Sequence, residues 1–296
     1  MPQITIIDKS GIAGAAGIIA TAYKGCGYAC FIIDDMESMN VGTNTDALLI
    51  LYHHTIPPSK VCEGPVKQWQ GKNIPQAILP VKDIESVKLF VKNLKTIHHK
   101  KNSCRHVAIL GQWDDKYLRL ANQIEVTLKK TGVASNKWTS DIILREDMVE
   151  GLGKGLGMAI YVGHGVSTGW EGFRGTGKKH FDKELYKPIH ALLQLCCSTA
   201  GRRYTNCSFS EHLFLQGKVL STLCAVSKTL HTDNIRWAVN ISFAISKNIQ
   251  SVGELILSSL PGQQVLKKYR LIGDPFAPLQ TSRAFIKEAN KTRVFL

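Results

Sequence analysis

The chain has 296 residues, of which 37 are lysine or arginine and 23 are aspartate or glutamate, so its formal net charge is +14. Hydrophobic residues make up 44% of the sequence and charged residues 20%, which excludes a mainly disordered chain, a coiled coil and a collagen-like repeat. Eight cysteines are too few for a disulfide scaffold in a chain of this length, and they form no paired Cys-x-x-Cys motifs that would indicate zinc.

The first hundred residues alternate apolar runs with a helical pattern. Apolar runs bounded by polar residues predict strands, and apolar residues at helical spacing predict helices. The predicted strands are Ile4–Asp8, Tyr28–Ile33 and Ala47–Tyr52, and the predicted helix is Ala13–Tyr23. The stretch from Thr55 to Pro80 contains five prolines, a composition that predicts no regular structure.

The apolar stretch from Ile12 to Ile33 is long enough to raise the question of a membrane span. Lys24, Gly25 and Gly27 interrupt it, so we interpret it as a buried helix followed by a strand. The start of the chain lacks the charged and then apolar layout of a secretory signal. We therefore expect a soluble cytoplasmic protein whose thiols are reduced.

Residues 82–105 carry much of the positive charge. Apolar residues recur there at helical spacing, which predicts an amphipathic helix with a basic outer face. The basic residues are Lys82, Lys88, Lys92, Lys95, Lys100, Lys101 and Arg105. A solvated face is the favoured interpretation, and a surface for an anionic partner is the alternative. No aromatic residues alternate with these lysines as a platform for single-stranded nucleic acid requires.

A second series of alternating elements follows, and a soft boundary is predicted near residue 100. The predicted strands are His106–Gly111, Met158–Val162, Ala191–Cys196 and Val219–Val226, and the predicted helices are Asp115–Thr131, Ser210–Gln216, Asn234–Lys247 and Val252–Leu260. Alternation of strands and helices predicts an α/β fold with a mostly parallel sheet between helices. We expect an N-terminal α/β subdomain over residues 1–100 and a second domain over residues 101–296.

Two predicted strands of this second domain end in chemically reactive residues. His164 lies between two glycines just after the strand Met158–Val162, and Cys196 and Cys197 close the strand Ala191–Cys196. Ligands bind beyond the carboxyl ends of strands in open α/β sheets, so a histidine and a cysteine there can meet at one edge.

A cysteine and a histidine at neighbouring strand ends suggest nucleophilic catalysis. The imidazole can take the thiol proton and later protonate a leaving amine. The backbone N–H groups of Gly165 and of the nucleophile could bind the oxyanion. The alternative is that Cys196 and Cys197 are small core residues, because free cysteine is often buried.

Four segments in this order resemble the caspase-like cysteine peptidases, the group that includes gingipains, CHAT-domain proteases, caspases, legumain and separase. The resemblance is closest to the gingipain and CHAT branches and covers roughly residues 105–280. The segments are YVGHGVSTGW (161–170), ALLQLCCSTAG (191–201), SFSEHLFLQGKVLSTLCAVS (208–227) and YRLIGDPFAPL (269–279). The resemblance implies a caspase-like fold, peptide-bond hydrolysis by a Cys–His dyad, and no metal or organic cofactor.

The resemblance also assigns roles to individual residues. His164 becomes the catalytic base and Cys197 the nucleophile, with Cys196 as the alternative nucleophile. Trp170 is expected either to line the substrate cleft or to pack in the structure. Asp233 is a candidate to attract a basic substrate side chain, although a solvated loop residue is the favoured interpretation. The partners that follow are a protein or peptide substrate and an activating protein, since relatives of this kind are often latent.

Some features of the sequence depart from this picture. The family pattern expects glycine three residues after the nucleophile, where Ala200 stands, and this keeps an inactive binding module as an alternative function. Asp274 in the Gly-Asp-Pro segment is expected to be a turn or packing residue.

The turn from Gly11 to Gly17, with Asp34 and Asp35 about twenty residues on, suggests a nucleotide- or nucleic-acid-binding α/β protein as a second alternative. Its glycine spacing lacks the close first pair of a dinucleotide fingerprint. The tandem histidines His53-His54 and His98-His99 lack ligand partners at metal-binding spacing.

Overall fold

The computed structural model describes residues 1–33, 44–99, 104–182, 187–247 and 249–279. The side chains of Cys104 and Arg105 are outside this description, as are Asp34, Asp35, Lys100 and Lys101, which the sequence analysis singled out. The predicted domain boundary near residue 100 falls at one of these gaps and stays a prediction.

Fourteen strands are present in the described residues. They are β1 Gln3–Lys9, β2 Ala29–Ile33, β3 Ala47–His53, β4 Val66–Trp69, β5 Lys72–Val81, β6 Cys104–Gly111, β7 Ser135–Thr139, β8 Leu156–Val162, β9 Gly165–Val166, β10 Gly169–Trp170, β11 Thr176–Gly177, β12 Ile189–Leu195, β13 Val219–Ala225 and β14 Tyr269–Gly273.

Nine α-helical segments accompany them in the part of the chain described. They are α1 Ala15–Gly25, α2 Ile84–His99, α3 Asp115–Lys130, α4 Arg145–Leu152, α5 Gly172–Gly175, α6 Phe209–Leu215, α7 His231–Ile245, α8 Val252–Ser258 and α9 Gln263–Leu266. Short 3-10 helices lie at Pro58–Lys60 and Lys178–Phe181.

Ten of the strands form one continuous path in the order β2-β1-β3-β5-β14-β13-β12-β8-β6-β7, and β4 pairs with β5 off this path. Every residue of β8, β12 and β13 is buried. Strands covered on both faces read as continuous apolar runs, which is why the sequence predicts them well. The mostly parallel sheet flanked by helices is thus confirmed.

Two parallel blocks lie on either side of β14. The first block is β2, β1, β3 and β5, and the second is β13, β12, β8, β6 and β7. Strand β14 lies between them and is antiparallel to β13. Arg202, which follows β12, donates to the carbonyls of His54 and Thr55 just after β3, so the carboxyl ends of the two blocks lie at the same edge of the sheet.

The expectation of irregular structure from Thr55 to Pro80 is wrong for its second half. Strand β5 runs through it and pairs with β3 along most of its length. On its other side, β5 pairs with β4 up to Pro75 and with β14 at Ala77 and Ile78. The two prolines of β5, Pro75 and Pro80, therefore lie outside the pairing with β14. A proline is tolerated in a strand where its missing N–H has no partner to meet.

The amphipathic helix is present as α2. Its apolar face is buried through Val87, Phe90, Leu94 and Ile97. Its lysines are exposed, and Lys88 forms an ion pair with Glu85 at 2.7 Å. The residues described contain no helix long and apolar enough to cross a membrane.

Two buried carboxylates connect residues before and after position 100. Asp274 accepts hydrogen bonds from Tyr23 Oη at 2.7 Å and from His98 Nε2 at 2.7 Å. Glu211 pairs with Arg202 and accepts a bond from Tyr52 Oη at 3.1 Å. Buried charges require partners of this kind, so both networks tie the sheet and its helices together.

Candidate active site

His164 lies two residues beyond β8, and its backbone is held on both sides. Its N–H donates to Gln112 Oε1 at 2.6 Å. Its carbonyl accepts bonds from Tyr161 Oη at 2.9 Å and from the Glu171 N–H at 3.1 Å. The imidazole itself is exposed. The fold thus fixes the main chain of this residue and leaves its ring accessible.

The two cysteines follow β12, the strand directly beside β8. Leu195 and Val162, the last residues of these strands, are register partners. Cys196 is fully buried, whereas Cys197 is half-buried. The structure therefore brings the histidine and the cysteine pair to the same edge of the sheet, which we call the His–Cys edge.

Gly165 forms the contact between the two strand ends. A Cβ atom at this position would lie 2.6 Å from the Cys197 carbonyl oxygen and 2.7 Å from Cys196 Sγ. No side chain fits into that space. Glycine at 165 is what lets the segment after His164 pack directly on the backbone of Cys197.

The Cys197 thiol is placed by a chain of buried polar groups. The Thr229 N–H donates to its sulfur at 3.3 Å. The Asn234 amide donates to Thr229 Oγ1 at 2.9 Å and to the Leu195 carbonyl at 3.3 Å. Tyr269 Oη in turn donates to Asn234 Oδ1 at 2.8 Å. Strand β14 and helix α7 thus position the residue that holds the thiol.

The two thiols differ in their electrostatic surroundings. Burial raises the pKa of Cys196 well above its ordinary value, and the adjacent Cys197 raises it further. A thiol in that state stays protonated and is a poor nucleophile. Cys197 is only half-buried, and its sulfur accepts a hydrogen bond from the Thr229 N–H.

Tyr117 of α3 stands beside His164 and His231. Its ring meets both imidazoles edge to face, at centroid distances of 5.3 and 5.0 Å. Its hydroxyl lies 3.5 Å from His164 Nδ1. Burial, then the nearby Asp114, raises the pKa of Tyr117. A neutral phenol thus faces the candidate base.

The turn after the cysteines differs from the family pattern in detail. Ser198 adopts a left-handed conformation with φ 58°. The Ala200 N–H donates to the Ala225 carbonyl at 2.8 Å, so alanine fits there. The restricted position is Gly201, where a Cβ would lie 2.7 Å from the Val226 carbonyl oxygen.

Trp170 lies in the core and is only 1% exposed. Its ring stacks on Tyr161 at 4.4 Å, and its indole N–H donates to Gln194 Oε1 at 2.9 Å. Trp170 is therefore too buried to line a substrate cleft, and it packs in the core behind His164 instead.

The two candidate aspartates occupy different surroundings. Asp233 is half-buried in the first turn of α7, four residues beyond Thr229. Asp274 is buried at the carboxyl end of β14, at the opposite edge of the sheet from His164. Strands β3, β5, β14 and β13 separate β1 from β12 in the sheet, so the glycines from Gly11 to Gly17 after β1 lie away from the cysteines.

Metal binding finds no support in the described part of the chain, where no three histidine, cysteine, aspartate or glutamate side chains are grouped suitably for an ion. His53 Nδ1 lies 2.7 Å from Thr55 Oγ1, and His98 pairs with Asp274. The described cysteines are all free thiols.

The sequence analysis did not identify Gln112, Tyr117, Thr229 and Asn234. Gln112 could have been found, because it directly follows β6, the strand beside β8. The other three lie on helices and a loop that reach the site through tertiary packing. No local sequence pattern predicts that contact.

Comparison with known proteins adds two findings. The model of peptidase family C25 matches residues 79–280, which include both strands of the His–Cys edge. No curated protein matches the chain.

Solved structures share the fold at low sequence identity. The crystal structure of the Arg-specific cysteine proteinase gingipain R matches with a TM-score of 0.71 and 14% identity over 95% of this chain and 78% of that chain. A complex of the pro- and mature domains of RgpB from Porphyromonas gingivalis gives 0.69 and 15% over 95% and 80%. The Saccharomyces cerevisiae separase–securin complex gives 0.54 and 15% over 78% of this chain but only 15% of that chain.

Proposed function

The chain belongs to peptidase family C25 and is a cysteine peptidase, and we propose that it cleaves peptide bonds through a dyad of Cys197 and His164. The observation that carries this proposal is the packing of Gly165 on the Cys197 carbonyl, which brings the segment with His164 against the segment with the cysteines. The accessible imidazole and the half-buried thiol support the same assignment.

The proposed reaction has two halves. His164 takes the thiol proton of Cys197, and the thiolate attacks the carbonyl carbon of the peptide bond. The tetrahedral oxyanion accepts hydrogen bonds from backbone N–H groups at Gly165 and Cys197. His164 then gives its proton to the leaving nitrogen as the C–N bond breaks. A water molecule, deprotonated by His164, hydrolyses the thioester and restores the thiol.

Cys197 is the proposed nucleophile in preference to Cys196. Burial and a raised pKa keep the Cys196 thiol neutral and out of reach. The hydrogen bond from the Thr229 N–H supports the choice of Cys197, because it holds that sulfur in a fixed position.

The proposed substrate is a protein or peptide. Asp233 remains a candidate for binding a basic side chain, since it lies in the first turn of α7, four residues beyond the Thr229 that contacts the thiol. The solved relatives include complexes with a pro-domain and with securin, which supports the proposal that a protein partner controls this enzyme. A cytoplasmic location and an anionic partner at the lysines of α2 belong to this proposal as well; free thiols support the former.

The test compares the wild type with Cys197→Ala, Cys196→Ala and His164→Ala on a diverse peptide library, with products identified by mass spectrometry. We expect Cys197→Ala to abolish cleavage and His164→Ala to reduce it at least about a hundredfold. Cys196→Ala is the matched control and should retain activity. Loss of cleavage only in Cys196→Ala would move the nucleophile by one residue.

A latent enzyme requires a second readout. Iodoacetamide should alkylate Cys197 faster than the other cysteines in the wild type, and His164→Ala should slow this reaction. Equal labelling of Cys197 in both proteins, together with no cleavage, would overturn the peptidase proposal in favour of an inactive binding module.

A further inference from the structure

A cavity of about 440 Å³ lies directly beside His164. Its lining includes Gln112, Glu171 and Gly172. Gln112 accepts the bond from the His164 N–H, and Glu171 donates to the His164 carbonyl. Gly172 donates to Tyr161 Oη, which itself bonds that carbonyl. The residues that hold the candidate base therefore also line this cavity.

The cavity is rimmed by apolar side chains that the core leaves uncovered. Trp113 is 73% exposed, Ile142 77% and Leu144 55%. Single exposed apolar residues are ordinary on protein surfaces, but three large ones around one cavity indicate a binding site. The Trp113 N–H donates to Ser140 Oγ at 2.5 Å, which ties the two loops that carry these residues.

The cavity has a fixed wall and balanced charge. Phe173 and Arg174 are both left-handed, with φ 54° and 59°. Arg145 donates to the carbonyls of Arg174 and Gly175 at 3.4 Å and pairs with Glu146. The lining holds two acids, Asp141 and Glu171, and two arginines, Arg145 and Arg174, so apolar contact is the main source of selectivity.

The order of strands shows which part of a peptide reaches the cavity. β12 carries the cysteines, β8 carries His164, and β6 and β7 lie beyond β8. Gln112 and Trp113 follow β6, and Ser140 to Leu144 follow β7. The thiolate attacks the carbonyl carbon while His164 protonates the leaving nitrogen, so the chain after the scissile bond continues past His164 toward β6 and β7.

We propose that this cavity binds a large apolar side chain of the substrate on the leaving-group side, at the first residue after the scissile bond. The inference rests on the proposed function. A volume of about 440 Å³ is in the range of ligand pockets and accommodates a phenylalanine or leucine side chain.

The test uses two substrates that share the acyl side. One is a peptide with phenylalanine after the cut, and the other is the same peptide with alanine there. We expect Trp113→Ala to lower kcat/KM about tenfold on the phenylalanine peptide, since loss of apolar contact in a pocket has effects of that size. Cleavage of the alanine peptide should change much less. Phe243→Ala removes another exposed aromatic residue, on α7, and serves as the control.

Each outcome has a distinct meaning. An equal loss on both substrates, or a changed preference before the cut, would assign the cavity to the acyl side and overturn this proposal. No effect of Trp113→Ala together with normal cleavage would show that the cavity binds no substrate. Cleavage that persists in Cys197→Ala would instead overturn the proposed function.

A measurement without turnover covers a latent enzyme. A short peptide with N-terminal phenylalanine mimics the leaving product and should change the tryptophan fluorescence of the wild type and of Cys197→Ala. The change should be absent in Trp113→Ala and with an N-terminal alanine. Equal responses to phenylalanine and alanine peptides would overturn the apolar preference.

Discussion

Both edges of the sheet carry polar residues at the carboxyl ends of strands, but the exposure of these residues differs between the edges. At the His–Cys edge, the imidazole of His164 is exposed and the thiol of Cys197 is half-buried. At the opposite edge, Asp274 is 0% exposed and pairs with the almost equally buried His98. We call this second edge the Asp274 edge.

The difference separates groups that react from groups that hold the fold. Asp274 accepts three bonds, from Tyr23, His98 and the Phe276 N–H at 2.9 Å, which satisfies it within the protein. A carboxylate so enclosed has no capacity left for a substrate. The reactive edge instead fixes its backbones and leaves its side chains available. In sequence, Gly-His-Gly and Gly-Asp-Pro both stand out at strand ends, and burial separates an accessible imidazole from an enclosed carboxylate.

The largest effect on stability is expected from breaking the Asp274 edge. His98→Ala removes the imidazole that pairs with the buried Asp274, which should lower the free energy of unfolding by about 3–5 kcal/mol. Urea denaturation measures this. His99→Ala, at the exposed neighbouring position on α2, is the control and should change stability by less than about 0.5 kcal/mol. Similar losses in both variants would contradict the structural role of the pair.

A smaller loss of stability is expected when a single hydrogen-bond donor to Asp274 is removed. Tyr23→Phe keeps the buried ring and deletes the hydroxyl that bonds Asp274 at 2.7 Å. A hydrogen bond to a charged group contributes about 1.5–3 kcal/mol, and we expect a loss in that range by urea denaturation. Activity per folded molecule should not change. Tyr204→Phe, at an exposed tyrosine, should be neutral.

At the His–Cys edge, loss of a hydroxyl should affect chemistry more than stability. Tyr117→Phe removes the group 3.5 Å from His164 Nδ1 while keeping both ring contacts. The bond is long, so we expect only a few-fold fall in kcat with a displaced pH–rate profile. A fall in kcat without any change in the pH profile would reduce Tyr117 to a packing residue.

The smallest expected effect is a pH dependence from His231. Burial, then the nearby Lys116, lowers the pKa of His231 in the folded chain. The unfolded chain therefore binds the proton more readily, and stability from this residue is complete above the unfolded pKa of about 6.5. It decreases as pH falls from there through the lowered folded value. His231→Phe should flatten the stability–pH curve in this window; an unchanged slope would contradict the assignment.

Much of this architecture was predictable, for a physical reason. Strands such as β8 and β12 are buried on both faces and so appear as apolar runs. Strand β7 was not predicted because it is a polar edge strand, and β5 was obscured by its prolines. The antiparallel junction of β13 and β14 follows from a long-range pairing that alternation of elements does not reveal.

The site was predictable only in its reactive centre. His164 and the cysteine pair stand out because glycines and strand ends mark them. The chain from Tyr269 through Asn234 to Thr229 has no such mark, since its members are brought together by packing. Trp170 was assigned to a cleft by resemblance, and its burial against Tyr161 places it in the core.

The antiparallel junction also has a consequence for synthesis on the ribosome. Strand β5 is made early, but its sheet partner β14 is the last strand in the described part of the chain. His98 likewise cannot form its bond with Asp274 until that residue, 176 positions later in the chain, has been synthesised. Non-local pairings of this kind form slowly, so the first block stays open along β5 while the second block is being translated. The bond network behind Cys197 needs Tyr269 of the same late strand, which couples maturation of the nucleophile to the closing step of folding.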